Sequence, residues 1–359
     1  MKKEDLLYIL HRIEIDNSNK LLDSDSIRLC EVHESNVSIT IAVSNPSLQF
    51  KNKLQQKIQK HILAKFPNAE VSIKFMLLND EESSSKPVIK NTIAIASGKG
   101  GVGKSTISSN LAIALQKKGY QVGLIDADIY GPSIPLMFDA DYERPKSVKR
   151  GNKSYMSPVI SYGVKIMSIG FFSNPSDAII WRGPMATKAL NEIINQTDWG
   201  SLDYLLIDLP PGTGDIHLSI VQTLSLTGSI IVTTPQPVAL IDAKKAVSMF
   251  KKKEISVPVL GLVENMSWLQ IDNKRHYIFG KDGGVTLSDA ENIPLLVQLP
   301  LDQSIREAGD VGRPAALQQT ILGDIFSELV EKLDISIQNR KNQLPPTKKV
   351  EITHNKGCS

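Results

Sequence analysis

Two hydrophobic rhythms run along this chain, and they change near residue 90. Over residues 4–13, Leu6, Leu7, Ile9, Leu10 and Ile13 fall on one face at helical spacing. "NVSITIAV" then alternates, with Val37, Ile39, Ile41 and Val43 facing one way, which predicts a half-buried strand. "SNPS" is a turn signal. Phe50, Leu54, Ile58 and Ile62 recur every four residues and predict a second helix, and "VSIKFML" predicts a closing strand. The pattern is an α-β-α-β unit with a small core, assigned to residues 1–78. The second helix carries Lys51, Lys53, Lys57, Lys60 and Lys65 without interleaved aromatics, so it reads as a solvated face and not as a nucleic-acid patch.

"NDEESSSKP" has the charge, serine and proline content of a linker, and residues 79–90 are assigned to it. Apolar runs then alternate with helical segments: "TIAIAS", "QVGLIDAD", "VKIMSIG", "DYLLIDLPP", "SIIVTTP", "VPVLGLVEN" and "LLVQLP". That alternation predicts an α/β domain over 91–338, a mostly parallel sheet covered by helices on both faces. Ligands of such sheets sit at the carboxyl ends of the strands, which is where Asp126, Asp128, Asp208 and Asn265 fall. Residues 130–185, rich in proline and glycine, are expected to form extended loops or a lid. An amphipathic helix is expected over Leu317–Leu333. The segment 339–359 lacks periodicity and reads as a flexible tail.

Composition adds exclusions. The 359 residues are 41% hydrophobic and 22% charged with a formal net charge of +3, so a packed core is expected and a basic surface for nucleic acid is not. Two cysteines, Cys30 and Cys358, lie too far apart in sequence to suggest a disulfide framework. The N-terminus does not read as a signal peptide, and no stretch has the length of a membrane span. A cytoplasmic protein with no membrane and no nucleic-acid partner is the expectation.

The chemistry begins at "IAIASGKGGVGKSTIS", Ile93–Ser108. Gly98-x4-Gly103-Lys104-Ser105 matches the Walker A pattern between a predicted strand and a predicted helix. Its glycines let backbone N–H groups close around phosphate, aided by the helix N-terminus. Lys104 is then expected on the β- and γ-phosphates of ATP, Ser105 on Mg²⁺, and Thr106 on the α-phosphate. Asp208 ends "DYLLID" as a Walker B acid able to hold Mg²⁺ through water, and Gly212 is placed to sense the γ-phosphate. Asp128 is placed to orient the attacking water; a helix cap or loop hydrogen bond is its alternative role.

A second lysine, Lys99, follows the first glycine. With it, "KGGVGKS" resembles the deviant Walker A of the MinD, ParA and nitrogenase iron-protein group. The resemblance implies phosphate binding by Gly98, Lys99, Gly100, Gly101, Val102, Gly103, Lys104, Ser105 and Thr106. It also implies a face-to-face homodimer in which Lys99 reaches phosphate, often across the interface. Further stretches, "DADIYGPSIPLMF", "WRGPM", "DLPPGTGDIHLSI", "TTPQPVALIDAKKAVSMF", "GLVENMSW", "HYIFGKDGG" and "LPLDQSIREAGDVGRP", resemble the Mrp/ApbC iron–sulfur carrier ATPases over about residues 90–335. The first unit is similar in position to the MIP18-type domain of such proteins, without its acidic-proline motif and cysteine. The resemblance implies slow, Mg-dependent ATP hydrolysis, adenine recognition by Asn265, and transfer of [4Fe–4S] clusters to apoproteins or exchange with assembly proteins.

The chain departs from that family after "ENMSW". Family members place a Cys-x-x-Cys pair there; this chain has "WLQIDNKRHYIFG". Thiolates hold such clusters, so the cluster ligands are unassigned. His276 alone reads as a surface or hydrogen-bonding residue, Cys30 as packed in the small unit, and Cys358 as a tail thiol. Two other functions stay open: an ATP-dependent scaffold that owns no cluster, and a MinD/ParA-like positioning switch.

Overall fold

A computed structural model describes residues 3–13, 26–33, 36–43, 48–77, 87–150, 153–172 and 183–347. The chain divides into a small unit, Met1–Lys86 grouped with Ile160–Gly163, and a large unit, Pro87–Val159 and Val164–Ser359.

In the small unit α1 (Lys3–Leu10) precedes β1 (Ile27–His33) and β2 (Asn36–Val43), followed by α2 (Leu48–Lys65) and β3 (Glu70–Leu77). β2 lies between β1, antiparallel, and β3, parallel. Leu6, Leu10, Ile13, Val37, Ile39, Ile41, Leu54, Ile58 and Ile62 form the core, with Cys30 buried among them. β1 is an addition to the expected α-β-α-β order. Its register shifts between Ile27 and Leu29, so Leu29 points out and Cys30 points in. Such an irregularity breaks the period-two signal by which a strand is recognised.

The large unit runs through β4 (Ile89–Ser97), α3 (Lys104–Lys117), β5 (Val122–Asp126), α4 (Ile134–Met137), β6 (Lys146–Arg150), β7 (Lys153–Ser157), β8 (Val159–Ser161) and β9 (Val164–Ser168). It continues through α5 (Gly183–Gln196), β10 (Leu202–Asp208), α6 (Asp215–Thr223), β11 (Gly228–Thr233), α7 (Pro237–Lys251) and β12 (Val259–Glu264). Then come β13 (Leu269–Ile271), β14 (Lys274–His276), α8 (Gly283–Glu291), β15 (Leu295–Gln298), α9 (Gln303–Asp310) and α10 (Ile321–Gln343). Among the described residues the main sheet has the order β15-β12-β11-β4-β10-β5-β9-β8. The pairs from β15 to β9 are parallel. β5, β10 and β11 are buried almost throughout, as a sheet covered on both faces requires.

Because these strands are parallel, their carboxyl ends share one edge. Ser168, Asp126, Asp208, Ser97, Thr233, Glu264 and Gln298 end β9, β5, β10, β4, β11, β12 and β15 there. Asp208 is in register with Asp126, and Asp126 with Ser168. The apolar runs therefore do two jobs: they build the core and they deliver a row of polar side chains to one rim.

Three expected boundaries change. β4 starts at Ile89, inside the segment 79–90 taken as linker. Residues 130–185 are more regular than loops, holding α4, the β6–β7 hairpin, β8 and β9; residues 173–182, with Trp181 and Arg182 of "WRGPM", lie outside the described residues. α10 spans Ile321–Gln343 and so carries helix through residues 339–343. Buried Ile337 and Arg340 prolong its inward face, and Arg340 Nη2 donates to the Pro345 carbonyl at 2.6 Å. Residues 348–359, including Cys358, lie outside the described residues. No helix among the described residues is long and apolar enough to cross a membrane.

At the rim opposite the polar row, α10 is fastened to the sheet. The Tyr204 and Tyr120 hydroxyls both donate to Asp334, Tyr120 at 3.1 Å, and the two rings meet edge to face at 5.0 Å. Tyr204→Phe removes one donor from this carboxyl group far from the polar rim. Stability is expected to fall by about 1–3 kcal/mol, read as a lower urea midpoint.

Candidate nucleotide-binding site

β4 ends at Ser97, and α3 begins at Lys104. Between them the backbone turns in a way two glycines make possible. Gly103, the residue before α3, has φ +86°, in the left-handed region. A Cβ there would run into the Asn265 side-chain amide. A Cβ on Gly98 would overlap the Asp242 carbonyl of α7, so the loop can lie against α7 only as glycine. Ser97 Oγ donates to the Lys99 carbonyl at 3.0 Å and holds the loop's first turn. From behind, Asn265 Nδ2 donates to the Val102 carbonyl at 2.9 Å. The result is an open pocket at the N-terminus of α3, lined by Gly100, Gly101, Gly103, Lys104, Ser105 and Thr106, with Ser97, Asp128, Ser133, Met137 and Pro211 around them. Unpaired N–H groups of a first helical turn and positive partial charge are what a phosphate chain binds.

The charged groups converge on Lys104. Its side chain is 6% exposed, and its ammonium lies 2.8 Å from Asp208 and 3.8 Å from Asp128. Asp208 is fully buried and accepts from the Ser105 hydroxyl at 2.5 Å and the Ser108 hydroxyl at 2.6 Å. Asp126, also fully buried, accepts from Ser168 Oγ at 2.9 Å, the Ile134 amide at 3.2 Å and the Asp128 amide at 3.2 Å. Burial, and then the neighbouring Asp208 charge, push the Asp126 carboxyl up to about 7. Asp128 is also raised, chiefly by burial, with Lys104 opposing the rise. Two carboxyl groups, Asp208 and Asp128, thus face one lysine, with Asp126 beside Asp208 pushed toward its neutral form. His217, buried in the first turn of α6, is held below its ordinary value chiefly by burial.

The structure brings Lys104, Ser105, Thr106, Asp128 and Asp208 together as the motif spacing implies. It leaves Lys99 outside: that side chain does not line the pocket, and its ammonium makes no ion pair or hydrogen bond among the described residues. Gly212, expected to offer its N–H to the γ-phosphate, donates it here to the Ser97 carbonyl at 2.9 Å. Asn265, expected to face adenine, spends one N–H on Val102 and is buried. Both contacts have one cause: backbone carbonyls near the loop need donors, and these are the nearest. Sequence reasoning placed Asp126 at the ligand-facing strand ends without assigning it a role, and missed Ser108 as a site member. Ser108 sits four residues after Lys104, one helical turn along the same face, and that spacing was a usable signal.

After Ser267 the chain forms a β13–β14 hairpin. Its turn residues Asp272 and Asn273 have φ +45° and +60°, as a two-residue hairpin turn requires. The Arg275 guanidinium lies 4.2 Å over the Trp268 ring. His276 is exposed at the end of β14 and does not enter the pocket. Among the described residues, no group of three or more His, Cys, Asp or Glu side chains is arranged to hold a metal ion.

Residues 88–334 match the family described as the NUBPL iron-transfer P-loop NTPase, within the ParA group. The chain is 44% identical over 281 residues to the iron–sulfur cluster carrier protein of Haemophilus influenzae, covering 76% of this chain and 75% of that one. It is 45% identical over 268 residues to the iron–sulfur cluster transfer protein NUBPL of Dictyostelium discoideum, covering 72% and 81%. Among solved structures, a nucleotide-binding protein in complex with ADP from Archaeoglobus fulgidus superposes with a TM-score of 0.56 at 35% identity, over 64% of this chain and 89% of that one. MinD with Mg-ADP from Pyrococcus horikoshii, at 24% identity and a TM-score of 0.53 over 70% and 99%, shares the fold.

The Asp126 environment gives a pH test. Its folded value of about 7 exceeds its ordinary 3.8, so the folded chain holds a proton that the unfolded chain has released. The contribution to stability is fully present below the unfolded value and is lost as pH rises through the folded one. Nucleotide-free wild type should therefore lose stability relative to Asp126→Asn between about pH 5 and pH 8, read as urea midpoints. Parallel curves for the two proteins would sink this assignment.

Proposed function

Because this chain belongs to the NUBPL iron-transfer P-loop NTPase family, we propose that it binds and hydrolyses ATP in order to carry or help assemble iron–sulfur clusters for apoproteins. The observation that carries this reading is the convergence of Lys104, Ser105, Asp128 and Asp208 at a glycine-built helix N-terminus inside the matched region. Residues 91–338 supply the ATPase in this reading. Residues 1–78 form an appended unit, and 79–90 contain the connection. The protein works in the cytoplasm with Fe–S apoproteins or assembly proteins, and with no membrane or nucleic acid.

The donor set suits Mg²⁺. The Ser105 hydroxyl and Asp208 carboxylate are hard oxygen ligands 2.5 Å apart, and such an ion usually takes few protein ligands and draws the rest from phosphates and water. When bound, Mg²⁺ neutralises phosphate charge. Lys104 now occupies the place of that positive charge beside Asp208. On nucleotide binding it turns to the β- and γ-phosphates, and the loop amides hold the phosphate oxygens. Asp128, partly exposed at the pocket wall and raised by burial, orients the attacking water and accepts its proton. Gly212 exchanges the Ser97 carbonyl for the γ-phosphate, a swing its φ of +95° permits. Asn265 keeps its bond to Val102 and has its other N–H and its carbonyl oxygen left for a purine edge. A single copy lacks one charge at the pocket; Lys99 supplies it from a second copy in a face-to-face homodimer, and hydrolysis is slow because it waits on that pairing.

The hairpin after Trp268 favours a second reading. Residues 269–276 hold no thiol, and a paired hairpin stands where the resembled carriers place their cysteines. A scaffold whose partner supplies the thiolates also fits. Cys30 is 5% exposed in the core of the small unit and is a poor donor.

Lys104→Ala should abolish Mg-ATP binding. Lys99→Ala should keep Kd within about three-fold and lower kcat by about 10²-fold; a wild-type kcat removes Lys99 from the reaction. Anaerobic reconstitution with iron and sulfide separates carrier from scaffold. A carrier binds a cluster that weakens in Cys358→Ser and persists in Cys30→Ser, read by absorption and iron content. No cluster on wild type selects the scaffold.

A further inference from the structure

The polar rim of the sheet carries one more buried carboxyl group, and the chemistry above does not use it. Glu264, the last residue of β12, is 0% exposed. Its Oε1 accepts from Ser267 Oγ at 2.7 Å and from Gln298 Nε2, at the end of β15, at 2.7 Å. Its Oε2 accepts from the Gly284 amide in the first turn of α8. The residue before that helix, Asp282, makes no side-chain cap bond, so Glu264 supplies the acceptor and the negative charge from a distance. The fit is close: a Cβ on Gly284 would come within 2.8 Å of Oε2.

The next residue is Asn265, which braces the phosphate loop at Val102. Its own amide donates to the Thr233 carbonyl at 2.8 Å. Met266 follows at φ +56°, a conformation that costs a non-glycine residue free energy and persists only where its surroundings enforce it. The enforcement comes from Ser267, whose N–H donates to Leu299 and whose hydroxyl reaches both the carboxyl and the carbonyl of Glu264. The side chain that gathers α8, β15 and this turn is Glu264.

We propose that Glu264 is a positioning residue for the nucleotide site: it fixes the turn that aims Asn265 at Val102, and so sets the shape of the phosphate loop without touching nucleotide. A purely structural glutamate would lower stability with no special link to Asn265. A positioning glutamate acts through Asn265, and the two effects do not multiply.

This rests on the reading of the pocket as an ATP site, and a thermodynamic cycle tests it. Mg-ATP is titrated by calorimetry into wild type, Glu264→Gln, Asn265→Ala and the double variant, with melting temperatures measured in parallel. Each single change should weaken Mg-ATP by about 5–50-fold, and the double variant should bind within about two-fold of Asn265→Ala. kcat at saturating ATP should stay within about three-fold of wild type in Glu264→Gln, the loss appearing in KM. Multiplied effects in the double variant, or wild-type binding by either single variant, overturn the proposal. If Glu264→Gln fails to fold, Gln298→Ala removes one donor from the same carboxyl group and takes its place in the cycle. Wild type that binds no Mg-ATP instead overturns the ATP-site reading itself.

Discussion

One ammonium group holds the centre of this molecule in tension. Lys104 starts the helix after β4, Asp208 ends the adjacent strand β10, and their charged groups meet at 2.8 Å with almost no water access. Breaking a buried pair by removing one partner costs about 3–5 kcal/mol, because the remaining charge is left without compensation. The pair is therefore stable only while something positive stays beside Asp208. A nucleotide that draws Lys104 toward its phosphates must bring its own cation. In the proposed mechanism the ion pair thus ties nucleotide binding to an accompanying cation.

The parallel sheet makes that centre possible. Parallel strands cannot pair in this order without helices crossing back over the faces, so their carboxyl ends collect on one side. Apolar residues fill the strand interiors, and polar residues are tolerated only at the rim. Asp126, Asp208 and Ser168 stand in neighbouring strands at matched register. On the other side of the phosphate loop, Glu264 and Asn265 occupy the same rim. The loop is held between them by Gly98 against α7 and Gly103 against Asn265.

The hairpin after Trp268 separates the two halves of the function. Nucleotide chemistry requires the loop, the lysine and the acids, and all are present. Cluster carriage requires soft thiolate ligands. At the position in question the chain invests in a tight turn, a strand pair and an arginine stacked on tryptophan. Those features build a fixed protein surface. A thiolate-lined metal site needs different residues there.

Much of this was legible in the sequence. The phosphate loop, the alternating apolar runs and the strand-ending Asp208 each depend on local facts: glycine's freedom, the periods of helix and strand, and the burial of apolar runs. β1 was hidden because its register shift breaks the alternation, and the extension of α10 was hidden because its inward face depends on what packs there. The hydrogen-bond partners of Gly212, Asn265, Ser108 and Glu264 were decided by tertiary structure. Asn265 and Val102 are 163 residues apart, and Ser108 and Asp208 are 100 apart. Sequence specifies what a residue can donate or accept. Which partner receives it depends on which carbonyl or carboxyl group the packed sheet brings within about 3 Å.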